Sequence, residues 1–315
     1  MLQTPQAKSP TQILITGGSG FIGERLSKAL FSEGHQLKLL TRNRGQVGLG
    51  EAVQCDLEND SIPIHCLEGI DTVYHLAGYA HDLSDPETVK YRYENLNIHA
   101  TTRLAQAASK AGVRKFVYVS SVKAGGITDR GLDMNEDTQS QPDGIYGETK
   151  FKAEKALLAL HQDTNLDVTV LRPSLVYGPS VKGNLNLMLR GIRQGWFPPV
   201  PETGNQRSMV HVDDVVDALR FLSSHPGSGG EIFIVTDGHP YSTRQIYTEL
   251  RCALGKSEPR WALPKLSFDI LSRLSPRLKF KLNKLFGNEA YSSAKLNGLG
   301  FETTKTLRDI NETRY

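Results

Sequence analysis

The sequence predicts an α/β fold, a doubly wound parallel sheet followed by a smaller C-terminal lobe. Three observations predict it. Short apolar or β-branched runs alternate with stretches of helical apolar spacing from residue 12 to about residue 178. A glycine-rich turn follows the first of those runs at once. After Pro179 the alternation stops, and a proline-rich loop and a basic amphipathic tail appear.

Each element follows from its residues. "QILIT" (12–16) is a short apolar strand, and Phe21–Glu33 places Ile22, Leu26, Ala29 and Leu30 on one helical face. "HQLKLLTR", "AVQCDL" and "DTVYHLAG" read as the second, third and fourth strands. "NLNIHATTRLAQAASKAG" reads as a helix closed by Gly112, and "RKFVYVSS" as a β-branched and aromatic strand. A helix after Tyr146 leads into "LDVTVLRPSLVYG", taken as one further strand. Parallel strands joined by right-handed crossovers give a sheet covered on both faces. In the second part, "GNLNLMLRGIRQG", "VDDVVDALRFLSSH" and "STRQIYTELRCALG" are helices and "GEIFIVTDG" is a strand. The tail, Leu266–Phe286, reads as a helix pair whose apolar positions are spaced to be buried; the alternative, tied to an apolar substrate, is a basic amphipathic face turned to a membrane surface. The boundaries expected are a loose lead-in over 1–11, a dinucleotide-binding domain over 12–179 and a smaller substrate lobe over 180–315, some of whose elements rejoin the first part.

Composition excludes several function classes. A net charge of +3 over 315 residues is small for a dedicated nucleic-acid binder. No apolar run approaches the roughly 20 residues that cross a bilayer, and the polar start "MLQTPQAKSPTQ" lacks a signal core, so a cytoplasmic protein without membrane contact is expected. Cys55, Cys66 and Cys252 have no metal-ligand spacing and are odd in number, so neither a metal site nor a disulfide framework is expected.

"ILITGGSGFIGERL" places Gly17, Gly20 and Gly23 between a strand and a helix. The first allows a tight turn, the second lets backbone approach a pyrophosphate, and the third lets the helix pack close to the strand. Phe21 and Ile22 open that helix, whose free N–H groups and positive dipole end suit phosphates. Dinucleotide binding is therefore expected. The second strand ends in Thr41 and Arg42, where an NAD enzyme usually carries an acid for the ribose 2′-hydroxyl. An arginine suits a 2′-phosphate, so NADP is favoured over NAD. Asp56 is a candidate acceptor for the adenine amino group and Leu57 a candidate packing surface for its ring.

"GIYGETK" places Tyr146 four residues before Lys150, one turn apart on one helical face. A free tyrosine titrates near 10, so proton transfer near neutrality asks for a shift of about three units, or about 4 kcal/mol. A nearby ammonium and an oxidised nicotinamide both favour the phenolate. Ser121 closes "FVYVSS" at the C-terminal edge of a parallel strand, where ligands bind in such sheets, and its hydroxyl is a candidate partner for the substrate oxygen.

With these pieces assembled, the chain resembles the extended short-chain dehydrogenase/reductase family, in its nucleotide-sugar epimerase/dehydratase branch. The matching segments are "TGGSGFIG", "CDL", "HLAG", "NLNIHATTRLAQAA", "VYVSS", "YGETK", "LRPSLVYGP" and "RSMVHVDDVVDA", in the family's order and over nearly the whole chain. The resemblance implies a Rossmann-type sheet, with Tyr146 as acid/base, Lys150 as its tuner and ribose ligand, and Ser121 as the partner hydroxyl. It further implies that Leu76, Ala77 and Gly78 line the nicotinamide side, that Asn97 supports the cofactor, and that Asn184 and Arg207 meet the diphosphate of a sugar nucleotide. A homodimer through Glu94–Ala111 and Tyr146–His161 is implied in the same way.

The chain also departs from the branch. Leu175 stands where many sugar epimerases carry asparagine, and Val122 and Lys123 stand where a serine- or threonine-rich stretch is common. The C-terminal region lacks an arginine–glycine–aspartate stretch. "SSVKAGG", "RPSLVYGPSVKGN" and "LFGNEAYSSAKLNGLGF" are similar to a bacterial subgroup acting on UDP-linked N-acetylhexosamines for surface polysaccharides. The expected activity is therefore oxidoreduction at C4 of a nucleotide-linked sugar, leaning to 4-keto reductase over 4-epimerase. The alternatives are a reductase or 3-hydroxy dehydrogenase of a sterol- or terpenoid-like substrate and, from another class, a non-catalytic dinucleotide sensor.

Overall fold

The computed structural model describes residues 10–43, 49–80, 86–128, 132, 134–138, 141, 142 and 144–312. The first nine residues of the expected lead-in lie outside them. In chain order the elements are β1 (Gln12–Thr16), α1 (Phe21–Ser32), β2 (Gln36–Thr41), β3 (Glu51–Gln54), β4 (Thr72–His75), α2 (Pro86–Tyr93), a π-helical stretch (Glu94–Ala100), α3 (Thr101–Lys110), β5 (Lys115–Val119) and α4 (Gly144–Asp163). There follow β6 (Asp167–Pro173), β7 (Leu175–Tyr177), α5 (Gly183–Gln194), β8 (Arg207–His211), α6 (Val212–Ser224), β9 (Glu231–Val235), β10 (Pro240–Tyr241), α7 (Thr243–Ala253), α8 (Lys265–Leu274) and α9 (Pro276–Phe286).

A seven-stranded parallel sheet in the order β3-β2-β1-β4-β5-β6-β9, flanked by helices, is the predicted doubly wound α/β fold. The described chain divides into two compact units. The first runs to Val119 and adds Lys152–Val170 and Leu222–Glu231; the second takes Ser120–Phe151, Leu171–Phe221 and the chain from Ile232.

In the first unit β1 pairs in parallel with β2 on one side and β4 on the other, so the strand order reverses between β1 and β4. Ligands of open α/β sheets bind outside the carboxyl ends of the strands at such a reversal. Ile13, Leu14 and Ile15 of β1, Val73 and Tyr74 of β4 and Phe116, Val117 and Tyr118 of β5 are all buried. Consecutive buried residues mean both faces are covered, as a parallel sheet requires. Lys115 is buried beneath them, and its ammonium lies 2.8 Å from Asp167 and 2.8 Å from the Ser228 hydroxyl.

The second unit contains a three-stranded sheet, β10-β8-β7, with β7 parallel and β10 antiparallel to β8. Here the structure corrects two expectations. "LDVTVLRPSLVYG" is two strands in two sheets, broken at Ser174. Pro173 has no N–H for a ladder, and Ser174 N–H turns instead to the Val235 carbonyl at 3.1 Å. The tail does form a helix pair, and Phe268 is buried edge-on to Phe286, with ring centroids 5.1 Å apart. Its apolar positions are not all buried, however: Leu266 and Ile270 stand in solvent.

Candidate active site

The glycine turn belongs to the first unit. Gly17 has a positive φ of 71°, and a Cβ there would lie 2.8 Å from the Ala77 amide nitrogen. A Cβ on Gly23 would sit 2.1 Å from the Gly17 carbonyl oxygen, so α1 rests directly on the turn. Gly20 caps α1 in extended conformation with no side-chain hydrogen bond. Its missing Cβ faces only the Gly17 carbonyl oxygen, at 3.0 Å. That cradle fits the diphosphate of a dinucleotide: there is open backbone above the turn, and first-turn amides are presented without a capping side chain. Phe21 and Ile22, half-buried, start the helix.

The exit of β4 is fixed by polar groups buried beneath it. His75 contacts Thr16 Oγ1 through Nδ1 at 2.6 Å and Thr101 Oγ1 through Nε2 at 2.8 Å. The Ala77 amide donates to Thr16 Oγ1 at 3.2 Å. Leu76 and Ala77 are half-buried and Gly78 is exposed. Asn97 is fully buried in the π-helical stretch; Tyr79 N–H donates to its Oδ1 at 2.7 Å, and its Nδ2 donates to the Tyr79 carbonyl at 3.1 Å. Asn97 thus grips the backbone that follows Leu76-Ala77-Gly78. The buried His75–Thr16–Thr101 set was not singled out by sequence reasoning; its one signal is a histidine inside an otherwise apolar strand.

At the second strand's end, Arg42 is exposed. Asp56 is engaged locally, accepting from the Glu58 amide at 3.1 Å and from Asn59 Nδ2 at 2.7 Å. Leu57 is buried, and its carbonyl accepts from Arg103 at 2.8 Å.

The second unit holds the proton-transfer candidates. Ser121 has extended backbone and caps the 3₁₀ turn Val122–Gly125, its Oγ accepting from the Lys123 amide at 3.3 Å. Tyr146 and Lys150 both lie in the first two turns of α4, the tyrosine half-buried and the lysine buried. Gly147 brings that helix onto the serine turn: a Cβ there would lie 2.4 Å from the Lys123 carbonyl oxygen. The pattern "YGETK" therefore carries a packing requirement between its tyrosine and its lysine, which the spacing of those two residues alone does not express.

Asn184 is exposed in the first turn of α5. Arg207 opens β8 and donates to the Lys284 carbonyl; its Nη2 lies 3.4 Å from Glu289 Oε2. The same carboxylate meets Lys123 Nζ through Oε1 at 2.8 Å. Glu289 therefore joins the serine turn to Arg207, and a phosphate reaching Arg207 would compete with it. Sequence reasoning had no signal for Glu289, because its partners lie 82 and 166 positions away.

Comparison with known proteins gives the family. The family model described as the NAD dependent epimerase/dehydratase family matches residues 13–236. A UDP-glucose 4-epimerase of Vibrio cholerae is 32% identical over 276 residues, covering 83% of this chain and 80% of its own length. An N-acetyl-alpha-D-glucosaminyl-diphospho-ditrans,octacis-undecaprenol 4-epimerase of Escherichia coli O157:H7 is 26% identical over 309 residues, 94% of this chain and 91% of its own. Among solved structures, MoeE5 in complex with UDP-glucose and NAD superposes with a TM-score of 0.76 at 26% identity, over 96% of this chain and 97% of that one.

Proposed function

Because this chain belongs to the NAD dependent epimerase/dehydratase family, we propose that it inverts C4 of a hexose or hexosamine carried on a diphosphate. The observation that carries the reading is the seating of Gly147 on the Lys123 carbonyl, which sets Tyr146's helix against the Ser121 turn. Bound NAD supplies the hydride acceptor and donor. With a dinucleotide held by the glycine turn, Tyr146 would take the O4 proton as C4 is oxidised, and Ser121 would hold O4 by a hydrogen bond. Lys150, one turn along the helix, favours the phenolate. Tyr146 would return the proton to O4 when C4 is reduced again from its other face. Atoms and electrons balance with C4 inverted and the cofactor unchanged.

The two relatives, both 4-epimerases, favour this cycle over the single reduction that Arg42 suggested from sequence. NAD is the cofactor of the family, and Arg42 makes NADP the competing choice. The group beyond the diphosphate is uridine in the reading made from sequence. The E. coli relative adds a polyprenol as the second possibility.

The test is proton NMR of UDP-glucose and UDP-N-acetylglucosamine incubated with the protein and NAD. Formation of the C4 epimer without net loss of nicotinamide supports the proposal. Stoichiometric oxidation of NADPH with a UDP-4-keto sugar would replace it with the reductase, and oxidation of a 3-hydroxysterol alone with the apolar-substrate enzyme. Dinucleotide binding with no turnover of any of these would point to a sensor.

A further inference from the structure

The chain has two tryptophans, and both stand far out in solvent: Trp196 is 54% exposed and Trp261 60%. They line one cleft of about 610 Å³ together with Phe197, Pro198, Pro199 and Arg260. The Leu263 amide donates to the Pro199 carbonyl at 2.9 Å, which ties the two stretches together. Leu266 (67% exposed) and Ile270 (53%) follow on α8, one turn apart and so on one face. Four of the eight large apolar side chains exposed among the described residues belong to this region. Scattered exposed apolar groups need no explanation, but a cluster of aromatic and branched ones does.

Charge says what covers it. Residues 256–284 hold eight lysines and arginines against Glu258 and Asp269, a net of +6 in a chain whose total is +3. The rest of the molecule is therefore net negative, at −3. Arg260 lines the same cleft as the two tryptophans, and Lys265, Arg273 and Lys279 are exposed in the same 256–284 segment. A second copy pairing through this same face would meet it with like charge, whereas an anionic lipid surface meets it with opposite charge. Indole rings settle at headgroup level, and amphipathic helices with lysine and arginine on the polar side lie in that plane. Among the described residues no helix is long and apolar enough to cross a membrane, so the contact is a surface one.

We propose that Trp196, Trp261 and the Leu266–Ile270 face of α8 dock on the surface of an anionic phospholipid bilayer. The docking stands apart from the C4 reaction. Only its extension rests on that reading: within it, a protein held at a bilayer is suited to a sugar diphosphate esterified to a lipid alcohol.

Because the chain's only two tryptophans both lie in this face, their fluorescence reports on it alone. The full chain is titrated with vesicles of phosphatidylcholine and of phosphatidylcholine mixed with phosphatidylglycerol, and co-flotation is followed in parallel. The expected result is a blue shift and flotation with the anionic vesicles, lost at about 1 M salt, where the screening length falls to about 3 Å. Leu266→Glu with Ile270→Glu is expected to weaken binding at least about tenfold. Arg260→Glu with Arg273→Glu gives the same direction without touching the apolar groups. Each variant's fold is checked by its thermal melt rather than by turnover, so failure of docking and failure of the reaction are read separately. No shift with anionic vesicles at low salt overturns the proposal. Equal, salt-insensitive binding to neutral vesicles also overturns it, as does a shift that depends on protein concentration without lipid, which would assign the face to a second copy.

Discussion

Gly147 and Lys123 are in backbone contact so close that a single methyl on the glycine would stand 2.4 Å from the lysine's carbonyl oxygen. The obstacle is backbone, so the helix or the turn has to give. Gly147→Ala is expected to move Tyr146 relative to Ser121 and lower kcat at least about tenfold, since misplacement by about 1 Å can cost a hundredfold. NAD affinity, measured by calorimetry, is expected to fall less than kcat, because the glycine turn is untouched and only the Lys150 contact moves with the helix.

Tyr146→Phe removes the hydroxyl and little else. Turnover is expected to fall about a hundredfold to ten-thousandfold, the range for loss of a positioned acid/base. Cofactor binding and the thermal melt should stay near those of the parent. A variant that epimerises at the parent rate would take Tyr146 out of the reaction.

Arg207 and Lys123 share the Glu289 carboxylate. Arg207→Gln is expected to raise KM for the sugar diphosphate about tenfold or more while kcat changes less, the pattern of lost ground-state binding. Glu289→Gln releases both cations from their common partner, and its expected signature is a steeper dependence of KM on salt. Steady-state kinetics at two ionic strengths distinguish the two variants.

Asp237 gives a pH prediction. Burial pushes its carboxyl up to about 6, although it accepts hydrogen bonds from the His239 amide at 3.1 Å and the Tyr241 hydroxyl at 2.9 Å. The folded state therefore holds a proton that the unfolded chain, with its ordinary value of 3.8, has released. Where the native state binds more protons, stability falls as pH rises. The parent is expected to lose about 2 kcal/mol between about pH 4 and pH 6.5 relative to Asp237→Asn. Urea midpoints of both proteins across that range check it.

Much of the first unit was legible because its signals are local. The strand "QILIT" matches β1 residue for residue, and the glycine turn needs only its own neighbours to be recognised. The same holds for Tyr146 and Lys150, which lie in one helix. What stayed hidden depends on distant contacts. The five-residue β8 runs straight into α6 without a turn residue, so its apolar spacing merges with the helix. The split of β6 from β7 is set by the Ser174 bond to Val235, 61 positions on. Arg207 was legible as a candidate, but its pairing with Glu289 was not. The exposure of Leu266 and Ile270 could not be read either, since periodicity marks a face without saying what lies against it.

The chain passes between its two units five times, and Leu222–Glu231 returns to the first unit from well beyond the point where the sequence rhythm changes. Within that return, Ser228 supplies a hydroxyl to the buried Lys115 ammonium. Neither unit is thus a contiguous stretch of gene. A truncation near residue 179 would deprive Lys115 of a ligand and leave a buried cation short of hydrogen bonds. The units cannot be exchanged between relatives by a single crossover, so new substrate preferences in such a chain have to arise by substitution within it.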